Sequence, residues 1–267
     1  MKYRILVITL LLILLVHSVL GSISLNDFIN LKALELIIAG IVLSIIISYP
    51  FNTLLSSVKL IKESFKNDID YEVAIFKIYR YAVKIKKAGT LKVQSDIEKE
   101  EDGFIKNGLT LVCDYEKSED IETVLSKEIH AKEVNLYRTY NVLKMIAQVA
   151  PAFGLVGTLV GMVGLLSNID QPELIASNMA TALVSTLYGA LIANFMAVPL
   201  MGRVKDFIDK KMLLYKIITE GIILIAKNDS TRNVFDKMNS MLMDDEKLTY
   251  PRATSVEGMR NSYEVFK

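Results

Sequence analysis

Apolar and charged positions are segregated along this chain. Four nearly uncharged runs, about Ile5–Leu20, Leu34–Leu55, Val142–Leu166 and Leu174–Leu200, are separated by stretches in which apolar residues recur among charged ones. Each run is near the ~20 residues that a helix needs to cross the hydrocarbon layer, the first being the shortest, and none has Lys or Arg at its centre. Between the second and third runs, Leu60, Ile61, Phe65, Ile69, Val73, Ile75 and Ile78 are spaced for amphipathic helices leaving the membrane. Ala88-Gly89-Thr90 marks a turn, and Glu98, Glu100, Glu101 and Asp102 read as a solvated helix end or loop. Helical patterning resumes through Glu116–Leu143 and enters the third run without a breaker. Phe207, Leu214, Ile217, Ile218 and Ile222 predict an amphipathic C-terminal helix over 202–225, and Val234, Met238 and Met241 a shorter one. Beyond Pro251 the polar composition predicts a mobile end. The fold class is an all-α membrane protein with four transmembrane helices, a large helical cytoplasmic loop and an amphipathic C-terminal helix. Its parts are 1–55 (first two spans), 56–141 (loop), 142–200 (third and fourth spans) and 201–267 (C-terminal helix and tail).

Composition sharpens this picture. Of 267 residues 52% are hydrophobic and 23% charged, with 31 basic and 30 acidic side chains, so no basic excess points to nucleic acid. One cysteine, Cys113, excludes a disulfide within the chain, and two distant histidines offer little to a metal. Lys2 and Arg4 ahead of the first run, with Val19 and Gly21 at its end, also fit a secretory signal peptide, which would leave three spans. The short polar turn before the second run fits a helical hairpin better. Fifteen Lys and Arg lie in 55–142 and twelve after Leu200, whereas Ser167–Glu173 has none. The positive-inside rule therefore places the loop and both termini in the cytoplasm.

No nucleotide-binding, zinc-protease or serine-hydrolase motif is present, so the sequence argues against an enzyme. The third run carries Gly154, Gly157, Gly161 and Gly164 every three or four residues, a small-residue stripe that lets another helix approach closely. It also carries Pro151, which frees a carbonyl one turn earlier, and Thr158 seven residues on, on the same side. The fourth run has Thr181, Ser185, Thr186, Tyr188, Asn194 and Pro199. Hydroxyls of this kind often bond only to their own backbone, but a freed carbonyl and hydroxyls at membrane depth can also be oxygen ligands to a hard cation. Neither run contains Asp or Glu. A cation path needing a carboxylate must take it from another chain.

The stretches Ala150–Gly161 and Met179–Asn194, with Pro199, closely resemble the third and fourth membrane helices of the MotA/PomA flagellar stator family, within the MotA/TolQ/ExbB proton channel superfamily. Glu220-Gly221-Ile222 also looks like a family segment. The resemblance implies a homopentamer around two copies of a MotB/PomB-like protein, whose single span bears an aspartate and which binds peptidoglycan. It implies transported Na+ or H+ with no resident cofactor, and cytoplasmic loops that push on the rotor protein FliG. Pro151 and Pro199 match the family's functional prolines. Thr158 and Thr186 match threonines of sodium-type members, which favours sodium and makes them transient ligands, with Ser185 beside them. In the loop, Lys86, Gly89 and Gln94 stand where the family has arginine, glycine and glutamate. Lys87 is the neighbouring register, Glu98 lies one turn late, and Glu128 falls where the family has a further acidic residue. Because Gln94 removes a negative charge, a non-flagellar energiser driving gliding, defence or outer-membrane work is the alternative. A passive scaffold held by the glycine stripe is a third.

Overall fold

The computed structural model describes residues 29–66, 69–114 and 117–251, together with Val7, Leu10, Ile13 and Leu14. The first apolar run, with its signal-peptide alternative, therefore lies outside the described residues apart from those four, as does the tail beyond Pro251. Among the described residues every regular element is helical. In chain order they are α1 (Leu31–Ser48), α2 (Phe51–Lys66), α3 (Tyr71–Ala88), α4 (Thr90–Glu98), α5 (Gly103–Cys113), α6 (Ser118–Ser167) and α7 (Pro172–Leu191). A π-helical stretch, Ile192–Ala197, then leads into α8 (Val198–Ala226), followed by α9 (Thr231–Asn239). Among the described residues three stretches are long and apolar enough to cross a membrane: Leu31–Ser48, Ser118–Ser167 and Pro172–Ala226.

The second apolar run is not one helix. α1 ends at Ser48, Tyr49 is extended, and Phe51–Leu55 belong to α2. The cause is Pro50, whose ring disfavours helical geometry at Tyr49 and which has no N–H to continue the ladder. Within α6, by contrast, Pro151 does not end the helix. Pro199 is the second residue after the π-helical stretch, and wider i→i+5 spacing is one way a helix accommodates a proline ring.

The chain forms two compact units. The first comprises Met1–Ile61 and Arg138–Val204. There Ile37 and Ile41 of α1 pack with Ala150 of α6 and Ala193, while much of the apolar surface of α1, α6 and α7 stays exposed, including Leu43, Ile47, Leu159, Val163 and Leu183. Exposed aliphatic side chains on helices of this length suit a lipid or protein surround rather than water.

The second unit, Lys62–Tyr137 and Lys205–Lys267, has a continuous apolar core. Ile75, Ile78, Leu109, Ile121, Leu125, Ile217, Ile218 and Ile222 are fully buried in it. Phe76, Tyr79, Phe235 and Tyr250 form an aromatic cluster with ring centroids 5.3–5.9 Å apart. Helix starts here are set by side-chain caps. Asp70 accepts from the Val73 N–H at 3.2 Å, Asp102 from Phe104 and Ile105 at 2.9 and 3.1 Å, and Ser230 from Asn233 at 3.1 Å. The turn at Gly89 has φ +80°, a conformation that a side chain rarely adopts.

The acidic stretch 98–102 is only partly solvated, which corrects the sequence expectation. The Glu100 side chain is 7% exposed. It accepts from Lys77 Nζ at 2.8 Å, the Tyr81 hydroxyl at 3.1 Å and the Asp102 N–H at 3.0 Å. Neighbours distant in sequence bury it, which periodicity could not reveal. Burial alone would raise its pKa, but these donors outweigh burial and hold the carboxyl below its ordinary 4.5. Burial, and then the Glu100 carboxylate, push the Tyr81 phenol up to about 12.

Because the folded-state pKa of Glu100 is depressed, its contribution is present above the unfolded value and is lost as pH falls through the folded one. Glu100→Gln should therefore lower the melting temperature of the purified protein at pH 7. The cost is about 1–3 kcal/mol, the penalty for weakening a charge-assisted buried network. The gap to the wild type should close towards pH 3. Equal melting temperatures at pH 7 would show that the network does not stabilise the unit.

Candidate functional site: the hydroxyl pair between two membrane helices

α6 and α7 pack through their small residues, and the fit is tight. A Cβ on Gly189 would lie 2.6 Å from the Ala150 carbonyl oxygen. One on Gly161 would lie 2.7 Å from Ala182 Cβ and 2.8 Å from the Asn178 carbonyl oxygen. One on Gly157 would lie 2.5 Å from Ser185 Cβ and Oγ, and one on Gly154 3.1 Å from the Ser185 carbonyl oxygen. Gly164 is looser, 3.2 Å from the Asn178 side-chain amide. The four glycines singled out in sequence thus line one seam, to which Gly189 contributes from α7.

Across this seam the hydroxyls of Thr158 and Thr186 hydrogen-bond to each other. The Thr158 hydroxyl is also within bonding reach of the Gly154 carbonyl on its own helix at 3.2 Å and the Ala182 carbonyl on α7 at 3.3 Å. Thr158 is half-buried and Thr186 exposed, so the pair has an open side. Two hydroxyl oxygens and two backbone carbonyls therefore converge where α6 faces α7. This is a neutral, oxygen-rich donor set, of the kind that can replace part of the water shell of a hard cation. Among the described residues no cluster of His, Cys, Asp or Glu could hold a resident metal.

The other residues singled out in sequence are placed differently. Ser185 is fully buried, packs on Gly157 and donates to the Thr181 carbonyl of its own helix at 2.6 Å. Pro151 and Pro199 have exposed side chains. Asn194 donates to the Ala190 carbonyl at 3.1 Å. The sequence reading passed over Asn30, which caps α1 and also reaches Thr181 and the Tyr188 hydroxyl on α7. A polar residue at the head of an apolar run was the available signal.

The loop residues separate likewise. α8 ends with Asn228 in the left-handed region at φ 55°, the Asp229 N–H reaching back to the Leu224 carbonyl at 3.0 Å. Lys86 Nζ donates to the Asn228 carbonyl at 2.8 Å and to its Oδ1 at 2.9 Å. The Lys86 ammonium is thus exposed but bound to this turn within its own unit. Lys87 and Glu98 are exposed on α3 and α4, and Gln94 is exposed between Val93 and Ile97, which are buried. Glu128 accepts from Asn107 at 2.7 Å and pairs with Lys132 at 3.3 Å.

Comparison with known proteins bears on this geometry. The model of the MotA/TolQ/ExbB proton channel family matches residues 96–217. Motility protein A of Borreliella burgdorferi is 32% identical over 179 residues, 67% of this chain and 69% of that protein. Chemotaxis protein PomA of Vibrio alginolyticus is 27% identical over 226 residues, 84% of this chain and 88% of that one. Among solved structures, C. jejuni MotAB has a chain that superposes with a TM-score of 0.82 at 20% identity. It covers 91% of this chain and 96% of its own, a likeness of fold.

The seam sorts its glycines. Gly189→Ala and Gly161→Ala set a methyl against backbone and should cost about 1–3 kcal/mol each, the usual range for overpacking. Gly164→Ala meets only a side-chain amide that can turn aside, and Gly202→Ala meets nothing within 4 Å. Melting temperatures and monodispersity of the four purified variants should rank in that order. Gly202→Ala as damaging as Gly189→Ala would remove the close-approach argument.

Proposed function

The chain belongs to the MotA/TolQ/ExbB proton channel family, on its MotA/PomA branch, and from that premise we propose that it is the ion-conducting stator subunit of a flagellar motor. In this reading it is a multi-pass inner-membrane protein with four spans and cytoplasmic termini. It assembles as a pentamer around a MotB-like partner whose membrane aspartate supplies the carboxylate missing from the third and fourth apolar runs. Ion flow past the seam turns the assembly, and the second unit delivers torque to a FliG-type rotor. The observation that carries the reading is the meeting of Thr158 and Thr186 across a seam with no acidic side chain.

The donor set favours sodium over the proton. A sodium ion must exchange part of its hydration for fixed oxygens, and hydroxyls supply them without burying a charge. A proton can pass along waters and needs no such ligands. Pro151 and Pro199 act through the backbone: each removes one N–H from its helix ladder, leaving the carbonyls of Ala147 and Phe195 without their usual i+4 donors. Ser185 contributes by filling the space over Gly157 and lies behind the hydroxyl pair.

A second reading, a non-flagellar energiser, is favoured by the rotor-facing surface. Gln94 carries no charge, and Lys86 is bound to the end of α8. On the stator reading the exposed Lys87, with Glu98, then makes the rotor contact, and Lys86 holds the fold of the unit that presents it.

Two outcomes follow. In a deletion strain complemented with this chain, swimming speed should rise with external sodium. Thr158→Ala or Thr186→Ala should abolish that dependence while the complex with the partner still forms, and serine at either site should retain much of it. Speed independent of sodium and unchanged in both alanine variants would defeat the sodium reading. Lys87→Glu should weaken torque partially and in a salt-sensitive way without lowering the melting temperature, as for a surface charge pair. Lys86→Glu should lower the melting temperature, because it sets a carboxylate against the Asn228 carbonyl. If Lys87→Glu leaves torque at wild-type level at low salt, the rotor contact is not at this lysine.

A further inference from the structure

We propose that Asn30 is a positioning residue for the Thr158–Thr186 pair, a clamp at the head of α1 that fixes the rotation of α7 about its own axis. The proposal rests on the channel reading above.

The geometry runs through one amide. Asn30 Oδ1 accepts from the Ala33 N–H at 3.0 Å and so caps α1. Its Nδ2 donates to Thr181 Oγ1 at 2.9 Å, and its backbone N–H donates to the Tyr188 hydroxyl at 3.2 Å. Thr181 Oγ1 in turn donates to the Ser177 carbonyl at 3.0 Å. Thr181, Ser185 and Tyr188 are four and three residues apart, so they share one face of α7. Thr186 and Ala182, which meet Thr158, occupy the adjoining face. α7 is therefore gripped on two sides, by α6 through the seam and by α1 through Asn30. The threonine hydroxyls stand away from the helix axis, so a small rotation of α7 is enough to part them. The Asn30 bonds oppose that rotation, because they anchor two points of α7 about two turns apart.

α1 is also the third wall of the seam. Leu36 Cδ2 lies 3.2 Å from where a Gly157 Cβ would stand, and Gly40 abuts the Phe153 ring. The order of these contacts makes α1 antiparallel to α6 and parallel to α7. Asn30 thus stands at the end of the wall nearest the 168–171 connection, the end assigned to the outside by charge. The chemistry asks for one side chain with both an acceptor and a donor. Serine and aspartate serve the acceptor part and cap well. Neither can supply the amide N–H to Thr181.

This separates clamping from capping. Asn30→Ser, Thr181→Ala and the double variant would be compared by swimming speed against sodium and by melting temperature of the purified complex with its partner. Asn30→Ser should raise the sodium concentration for half-maximal speed about five-fold, the ratio expected for losing one neutral hydrogen bond, with maximal speed kept. Thr181→Ala should do the same, and the double variant should be no worse than either. In melting, both single variants should fall and the double should match a single, the signature of two residues sharing one interaction. An Asn30→Ser protein with wild-type sodium dependence and melting, or a double variant in which the two losses add, would overturn the clamp. If swimming ignores sodium and Thr158→Ala is silent while the melting coupling persists, the clamp stands as structure and it is the sodium reading that fails.

Discussion

The membrane half of this protein depends on how closely α6 and α7 approach. Backbone meets backbone there: no side chain separates Gly189 from the Ala150 carbonyl, or Gly161 from the Asn178 carbonyl. Lipid supplies no hydrophobic drive for two helices to associate, so close packing has to provide it, and packing strengthens steeply as the gap closes. The same approach brings Thr158 within bonding reach of Thr186 and of the Ala182 carbonyl. Were the helices a methyl group further apart, the hydroxyls would bond only to their own backbones. The glycines are thus a precondition for the donor set.

The second unit is held by different means. Its core is built as in a water-soluble domain, with isoleucines and an aromatic cluster, and its polar residues do specific local work. Asp70, Asp102 and Ser230 start helices, Asn228 ends one, and Lys86 ties down that turn by donating to the Asn228 carbonyl and side chain. Lys77, Tyr81 and the Asp102 N–H satisfy the buried Glu100. Charges that look available in sequence are therefore partly committed to the fold. On the stator reading the lysine left for a partner surface is Lys87 rather than Lys86.

On the proposed reading the two units serve one function through unlike chemistry. An ion path in lipid has to offer oxygen without stable charge, since a buried carboxylate with no counter-charge costs several kcal/mol or more. The seam offers hydroxyls and carbonyls, and on the proposed reading the single charge comes from another chain. A surface that exchanges force with a rotor needs long-range attraction with weak individual contacts, which exposed lysines and glutamates provide.

Much of this was legible from residue order alone. Glycine at every third or fourth position lines up as a helix stripe, Gly89 between two helical patterns marks a turn, and segregated apolar runs suggest a membrane. These follow from local geometry and from water's exclusion from hydrocarbon, which act on any neighbour in sequence. What the sequence could not carry is proximity between distant residues. It did not show that Pro50 would cut the second apolar run at Ser48, because whether a proline breaks or merely bends a helix depends on what surrounds it, and Pro151 is tolerated in α6. It did not show that Glu100 would be buried, because its partner Lys77 lies on another helix. Nor did it show that Asn30, a polar residue ahead of an apolar run, would reach Thr181 and Tyr188 some 150 residues away. Periodicity says which face of a helix is apolar. Only packing decides which other helix that face meets, and hence which hydroxyls converge.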